Sequence, residues 1–180
     1  MRVLFLGNSF TSRFDIPQQV KLLVDELTRA DDEVKSKGPF EYESILRGGA
    51  SLAQWNNDKN GLVGETLRKK PKFDFVVLQE QSNKPWKNRE KFREAAERLH
   101  GKIKDAGAVT VLYQTTPWKD WVGKEEEENL LANYRGLCLD LCSTSKGRDE
   151  ACLLAPVGET ARLLRERMPT GRCDSVVPND

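Results

Sequence analysis

The chain has 180 residues, with 29 lysines and arginines against 28 aspartates and glutamates, and a mean hydropathy of −0.63. This length predicts one domain, residues 1–180, with a single sizeable core. A net charge of +1 provides no strong field for nucleic acid or an anionic membrane, and neither is expected as a partner. Because no apolar run is long enough for a membrane span or a signal-peptide core, we expect a cytoplasmic protein.

Five apolar segments rich in β-branched and aromatic residues predict strands. They are Val3–Leu6, Tyr42–Leu46, Phe73–Leu78, Val109–Tyr113 and Cys152–Ala155. Helical patterns separate them, and this alternation predicts right-handed βαβ units. The expected fold is therefore α/β, a three-layer α/β/α sandwich with a flavodoxin-like, parallel five-stranded sheet.

Several intervening segments have the apolar spacing of amphipathic helices. One stripe comprises Val20, Leu23, Val24 and Leu27, and Asp15 with Gln18 three residues later predicts a capping box before it. Another stripe comprises Phe92, Ala95, Ala96, Leu99 and Ile103, and further helices are predicted at about 125–142 and 157–167.

Gly7, Asn8 and Ser9 follow the first predicted strand directly. Gly7 would permit a tight turn, because glycine tolerates positive φ. Ser9 then lies beyond the carboxyl end of a strand, where open α/β sheets bind ligands, and can be a nucleophile if a base removes its proton. From these residues alone, a serine that caps the following helix is an equal alternative.

Two further loops should meet this one at the same edge of the sheet. Arg47-Gly48-Gly49-Ala50-Ser51 follows the second strand and offers backbone N–H groups, and the amide-rich segment 79–85 follows the third. A serine nucleophile, bare backbone donors and a carboxamide are the components of an oxyanion hole. Their joint occurrence behind three consecutive strands favours an acyl-transfer site.

These segments resemble conserved blocks of the SGNH (GDSL-like) hydrolase superfamily, in a branch that reads Gly-Asn-Ser in place of Gly-Asp-Ser. The resemblance covers nearly the whole chain, through residues 3–11, 48–52, 75–82, 108–114 and 155–158. It implies Ser9 as nucleophile, and Ser9, Gly49 and Gln81 as the oxyanion hole, with Gly48 as an alternative to Gly49.

The resemblance breaks near the end of the sequence, where the family has Asp-x-x-His followed by proline. On this pattern Asp174 matches the aspartate and Pro178 the proline, whereas Val177 stands in place of the histidine. Valine cannot carry a proton, and the final helix typical of the family is missing from the sequence. We therefore expect impaired activity, because a general base typically raises the reaction rate by about 10²–10⁴-fold.

Other residues are weaker candidates for the missing base. His100, the only histidine, falls off the apolar stripe of its predicted helix, which favours a surface or boundary position. Glu80 lies in the right loop, but its ordinary pKa makes it a poor partner for serine unless burial raises that pKa.

Trp86 and Trp118 follow the third and fourth strands, and with Asn8 they are candidate substrate-binding residues; packing of the tryptophans into the core is an equal alternative. Cys138 and Cys142 lie one helical turn apart, and with Cys152 and Cys173 they form no recognised metal-site spacing. No metal or cofactor is predicted.

The sequence favours two functions. The first is an SGNH-type esterase acting on small acyl esters, such as acetylated carbohydrates. The second is a catalytically inactive binding module, or a truncated copy without function. A nucleotide- or flavin-binding protein is disfavoured, because the Gly7 loop lacks a phosphate-cradling pattern. Without the usual closing helix, one sheet face should be left uncovered and favour marginal stability, self-association or a partner chain.

Overall fold

The computed structural model describes residues 1–143 and 152–167 of the chain. Within these ranges five strands form one parallel sheet in the order β2-β1-β3-β4-β5. The strands are β1 (Arg2–Gly7), β2 (Glu41–Leu46), β3 (Phe75–Gln79), β4 (Val109–Tyr113) and β5 (Cys152–Ala155). The predicted α/β fold with a flavodoxin-like sheet is confirmed.

Helices connect the strands throughout the described part of the chain. They are α1 (Ser9–Ser12), α2 (Ile16–Ala30), α3 (Asp32–Ser36), α4 (Leu52–Asn56), α5 (Leu62–Leu67), α6 (Lys84–Lys87), α7 (Arg89–Asp105), α8 (Glu125–Ser143) and α9 (Val157–Arg167). A 3₁₀ turn covers Lys119–Trp121. None of the described helices is long and apolar enough to cross a bilayer.

The larger core fills one face of the sheet. Leu4, Leu6, Val76, Leu78 and Leu112 point to this face and are at most 1% exposed. Helices α4, α5, α7 and α8 bury their apolar residues against them. Helix α9 joins α8 through ion pairs, among them Arg135 with Glu159 at 3.0 Å and Arg162 with Glu128 at 2.7 Å.

The opposite face has a smaller core, which is centred on β1. Val3 and Phe5 are buried there, and Val20 and Val24 of α2 pack against them. The other half of the predicted α2 stripe differs from expectation, because Leu23 remains 64% exposed and Leu27 54% exposed. Helix α2 therefore covers the β1–β2 side of this face with only part of its apolar surface.

The predicted capping box before α2 is wrong. Asp15 occupies the cap position with φ of 45°, and its side chain makes no capping hydrogen bond. Gln18 instead accepts a hydrogen bond from the Tyr42 hydroxyl at 3.1 Å, which ties α2 to β2. Asp15 thus has a left-handed backbone, whereas a capping side chain typically stands on an extended backbone.

The sheet order places a topological switch point between β1 and β3. Strand β1 pairs with β2 on one side and with β3 on the other, so the chain leaves β1 and β3 in opposite directions. In doubly wound sheets, the crevice beyond the carboxyl ends of such strands is the ligand-binding position. The loops after β1 and β3 leave the sheet at this position.

Candidate active site

The carboxyl ends of the first three strands lie in register. Gly7 pairs with Leu46 at the end of β2, and Leu6 pairs with Leu78, one residue before the end of β3. The Gly7-Asn8-Ser9, Gly48-Gly49 and Gln79–Ser82 segments therefore leave the sheet at the same edge. The structure brings together the three loops that the sequence analysis selected.

Gly7 is required by close packing, and not by the positive φ that the sequence analysis expected. It is absent from the described glycines with positive φ. A Cβ on Gly7 would lie 2.8 Å from Gln79 Oε1 and 2.9 Å from Thr11 Oγ1. The missing side chain leaves room for the amide of Gln79 to reach the first loop.

Asn8 connects the three loops through hydrogen bonds. Its backbone N–H donates to Gln79 Oε1 at 3.0 Å, and its Nδ2 donates to the Ala50 carbonyl at 2.8 Å. Its Oδ1 accepts from Phe10 N–H at 3.0 Å and caps α1. Asn8 is 1% exposed. Its burial and its three hydrogen bonds show a structural role for Asn8, and its predicted contact with a substrate stays a prediction.

Ser9 is exposed as the first residue of α1. The alternative that this serine caps the helix is wrong, because Asn8 is the capping residue. The Ser9 hydroxyl makes no hydrogen bond with another described residue. It is therefore exposed beyond the carboxyl end of β1 and is not committed to the local fold.

The Gly48-Gly49 loop is an open turn with exposed glycines. Ala50 N–H donates to the Arg47 carbonyl at 3.1 Å and closes the turn, and Gly49 has φ of +66°. A Cβ at Gly49 would meet nothing within 4 Å, so its surroundings are open. Its N–H makes no hydrogen bond within the described ranges and is available as a donor.

Helix α4 follows this turn directly and fixes its end. Ser51 and Gln54 form a reciprocal capping box, in which Ser51 N–H donates to Gln54 Oε1 at 2.9 Å. A capping box satisfies two of the orphan amides at a helix start. The turn that carries Gly49 is therefore joined to a defined helix start.

Gln81, the predicted carboxamide donor, is half-buried. Its Oε1 is buried and has no hydrogen-bond partner among the described residues. A buried amide oxygen without a partner costs stability, and it is rare in native proteins. An oxyanion would be contacted by the Nε2 donor and not by this oxygen, so the role of Gln81 as a carboxamide donor stays a prediction.

Glu80 lies next to Gln81 and is 1% exposed. Burial raises the pKa of Glu80 from 4.5 to about 7, although hydrogen bonds from the Gln81 and Leu52 amides and the charge of Lys84 oppose the rise. On helix α8, the Tyr134 phenol is also completely buried, and burial followed by the nearby charge of Glu80 raises its pKa. The site thus contains a carboxyl group that titrates near neutrality.

Trp118 contacts the β3 loop, since its Nε1 donates to Ser82 Oγ at 2.6 Å. Trp118 is half-buried, and so is Trp86 on α6, where the Lys87 ammonium lies 5.7 Å from the Trp86 ring centroid. The structure thus joins Trp118 to the loop that contains Gln81. Substrate binding by either tryptophan stays a prediction.

His100 is not part of this site. Its Nδ1 lies 2.8 Å from Thr110 Oγ1, and the residue is 7% exposed, so the expected surface or boundary position is wrong. His100 packs on the larger-core face, where Thr110 pairs with Val76 at the second position of β3. That register position lies toward the amino ends of the strands, whereas Ser9 follows a carboxyl end.

The remaining candidates from the sequence are the cysteines and the residues near position 177. Asp174, Val177, Pro178 and Cys173 lie outside the described residues. The Cys142 thiol donates to the Cys152 carbonyl at 2.9 Å, and Cys138 lies beside the same carbonyl at 3.5 Å. In residues 1–143 and 152–167, no group of three or more His, Cys, Asp or Glu side chains could hold a metal ion.

Gln79 belongs to the predicted amide-rich segment 79–85, but the sequence analysis missed its structural role. It is buried at the last position of β3, where its Oε1 accepts from Asn8 N–H and from the Thr11 hydroxyl, both at 3.0 Å. Its Nε2 donates to the Glu80 carbonyl. The sequence feature that could have indicated this role is the position of the Gln79 carboxamide directly after the apolar run Phe75–Leu78.

Together, these observations define an α/β protein with a parallel five-stranded sheet and an exposed serine at its switch point. Solved structures with the same fold cover nearly all of this chain. A candidate SGNH hydrolase from Slackia heliotrinireducens is 26% identical, with a TM-score of 0.66 over 99% of this chain and 90% of that chain. TesA is 15% identical, with a TM-score of 0.63 over 99% and 89% of the two chains.

AlinE4, an SGNH-hydrolase family esterase, is 12% identical and has a TM-score of 0.61, over 99% of this chain and 83% of that chain. No protein-family model matches the sequence, and no curated protein does. The chain therefore has the fold of the SGNH hydrolases, and its structural neighbours include esterases.

Proposed function

We propose that this protein is an SGNH-type serine esterase that acts on small acyl esters, such as acetylated carbohydrates. The observation that supports this proposal best is the hydrogen-bonded convergence of three loops at the switch point of the sheet. Ser9 is exposed there, because the side chain of Asn8, and not that of Ser9, caps helix α1. The fold shared with esterases agrees with this assignment.

In the proposed reaction, Ser9 Oγ attacks the ester carbonyl and expels the alcohol. The N–H groups of Ser9 and Gly49 and the carboxamide of Gln81 stabilise the negative charge that develops on the carbonyl oxygen. Water then hydrolyses the acyl-serine and releases the acid. Asn8 holds Ser9 and the Gly49 loop in one arrangement, through its hydrogen bonds to Phe10 and Ala50.

We propose that turnover is slow, because the position of the family's catalytic histidine is occupied by Val177. The Asp174 carboxylate, which the resemblance assigns to the catalytic set, then has no imidazole to orient. Without a general base, the rate of serine attack falls by about 10²–10⁴-fold, and the oxyanion donors and substrate binding support the remaining rate.

A catalytically inactive binding module is the second candidate. One observation favours it: His100, the only histidine in the sequence, is engaged with Thr110 on another part of the sheet. The crevice beside Ser9 would then bind an ester or a carbohydrate without cleaving it. Such a protein would bind the ligand with equal affinity before and after replacement of Ser9 by alanine.

Hydrolysis of a short-chain chromogenic ester by the full chain separates the two functions. We expect slow turnover that Ser9→Ala abolishes, whereas Ser12→Ala retains it, because Ser12 is exposed one turn further along α1. Val177→His should raise kcat. Turnover that is equal in the wild type and Ser9→Ala would refute the esterase.

A fluorophosphonate provides a test that does not depend on turnover. Ser9 Oγ attacks phosphorus, fluoride leaves, and the serine proton passes to solvent, so that the protein gains the phosphonyl mass. We expect this adduct in the wild type and in Ser12→Ala and its loss in Ser9→Ala. A wild type that stays unmodified at high reagent concentration would favour the binding module.

A further inference from the structure

Glu80 is a buried carboxylate whose hydrogen bonds go to two different loops. Its Oε1 accepts from Gln81 N–H at 2.6 Å and from Leu52 N–H at 3.2 Å, and its Oε2 lies 3.3 Å from the same Leu52 nitrogen. Removing a carboxylate from water is costly unless hydrogen bonds compensate for the lost hydration. A glutamate at 1% exposure in this position therefore needs both amides.

The two amides belong to the loops that contain the proposed oxyanion donors. Leu52 is the first residue of α4 and follows Gly49 by three positions, whereas Gln81 is itself the proposed carboxamide donor. A shift of either loop would change the distance between Gly49 N–H and the Gln81 side chain. The Glu80 carboxylate spans the gap between these loops.

We propose that Glu80 is a positioning residue that locks the loop after β2 to the loop after β3, and so sets the geometry of the oxyanion hole. This inference rests on the proposed function, because that function gives Gly49 and Gln81 their roles. Glu80 acts through these residues and does not touch the reacting atoms. Its carboxylate makes no hydrogen bond with Ser9 in the described structure.

The connection of the two loops through the Glu80 carboxylate, which we call the lock, depends on the charge of Glu80. Hydrogen bonds to an ionised acceptor are about twice as strong as neutral ones. The groups that face the carboxylate are Lys84 beside the β3 loop, whose charge favours ionisation, and the buried Tyr134 phenol on α8. Burial opposes ionisation and gives Glu80 a pKa of about 7. The lock should therefore tighten as the pH rises through neutrality.

Amide chemical shifts of the ¹⁵N-labelled full chain test this proposal between pH 5 and 9. We expect the Leu52 and Gln81 N–H resonances of the wild type to move together, with one midpoint near pH 7. Glu80→Gln should abolish both transitions, because glutamine does not ionise. Glu43→Gln is the control, since Glu43 pairs with Arg2 and Lys69 on β2, and it should leave both transitions intact.

Ester hydrolysis supplies a second measurement on the same variants. Glu80→Gln should lower kcat by about 10- to 100-fold with little change in KM, as expected for small errors in catalytic geometry. It should also remove the inflection near pH 7 from the kcat profile, which a merely destabilising change would not do.

The outcomes separate the two proposals. Two coupled amide transitions without any esterase activity would support the lock and refute the proposed function. Amides that fail to titrate, that titrate with different midpoints, or that titrate unchanged in Glu80→Gln would overturn the lock, whatever the activity. Unchanged kcat and an unchanged pH profile in an active Glu80→Gln enzyme would also overturn it.

Discussion

Glu80→Gln should change the pH dependence of folding in a direction that the structure fixes. The pKa of Glu80 is raised by burial from 4.5 to about 7 in the folded protein. Between these two pH values the folded chain binds more protons than the unfolded chain, so stability falls as the pH rises. Above pH 7 the folded protein must hold an ionised, buried carboxylate.

The magnitude follows from the difference between the two pKa values. Each pKa unit corresponds to about 1.4 kcal/mol, so ionisation of Glu80 reduces the free energy of unfolding by about 3 kcal/mol in total. Most of this change falls between pH 5 and 8.5. Over that range we expect the wild type to lose roughly 2–3 kcal/mol relative to Glu80→Gln, which has no carboxyl group to titrate.

Urea unfolding at a series of pH values measures this difference directly. Glu43→Gln should show the opposite sign, because the hydrogen bond and charge of Lys69 lower the pKa of Glu43, with a contribution from Arg2. The stability that Glu43 contributes is present above its unfolded pKa and is lost as the pH falls through its folded pKa. A constant difference between the wild type and Glu80→Gln across pH 5–8.5 would refute the assignment of a raised pKa.

Three further variants test the loops and the sheet face. Gly7→Ala should lower the free energy of unfolding by about 1–3 kcal/mol in urea, because its Cβ would overlap the side chains of Gln79 and Thr11. Gly101→Ala, with open space around it, should stabilise helix α7 by about 0.5–1 kcal/mol. Asn8→Ala should cost about 1–3 kcal/mol by the same measurement, since a buried carbonyl loses its donor and α1 loses its cap; an unchanged urea midpoint would contradict the connecting role. We also propose that the protein self-associates on the partly covered sheet face, through the apolar side chains that α2 leaves exposed there. Leu23→Glu should therefore reduce the sedimentation coefficient, whereas Leu139→Glu, at an exposed position of the otherwise packed helix α8, should not. A monomeric wild type would contradict this.

The strands could be predicted from the sequence because most of them form continuous apolar runs. The bounds of β4 and β5 agree with the prediction, and β1 differs by one residue at each end. Parallel strands covered on both faces are apolar at nearly every position, so composition alone marks them. In contrast, α1 and α6 have four residues each, which is too short for a helical period to be read.

The loops of the candidate site could be selected from the sequence, but the contacts within them could not. Asn8 and Ser9 are both common helix caps, and only the structure shows that Asn8 performs this role. The need for glycine at position 7 arises from Gln79, 72 residues further along the chain. Such a contact depends on the pairing of β1 with β3, which no local pattern contains.

The raised pKa of Glu80 was equally inaccessible, because it depends on burial that the loop sequence does not reveal. The buried Glu80 carboxyl and the unpartnered Oε1 of Gln81 both reduce the stability of the folded protein at the β3 loop. Natural sequences tolerate such local violations at functional sites, where a rigid polar arrangement has a use besides folding. An apolar residue at position 80 would remove the ionisation cost but would leave the amides of Leu52 and Gln81 without their shared acceptor. A costly carboxylate between the two loops of the candidate site is therefore explained better by the geometry of a site than by the stability of the sheet.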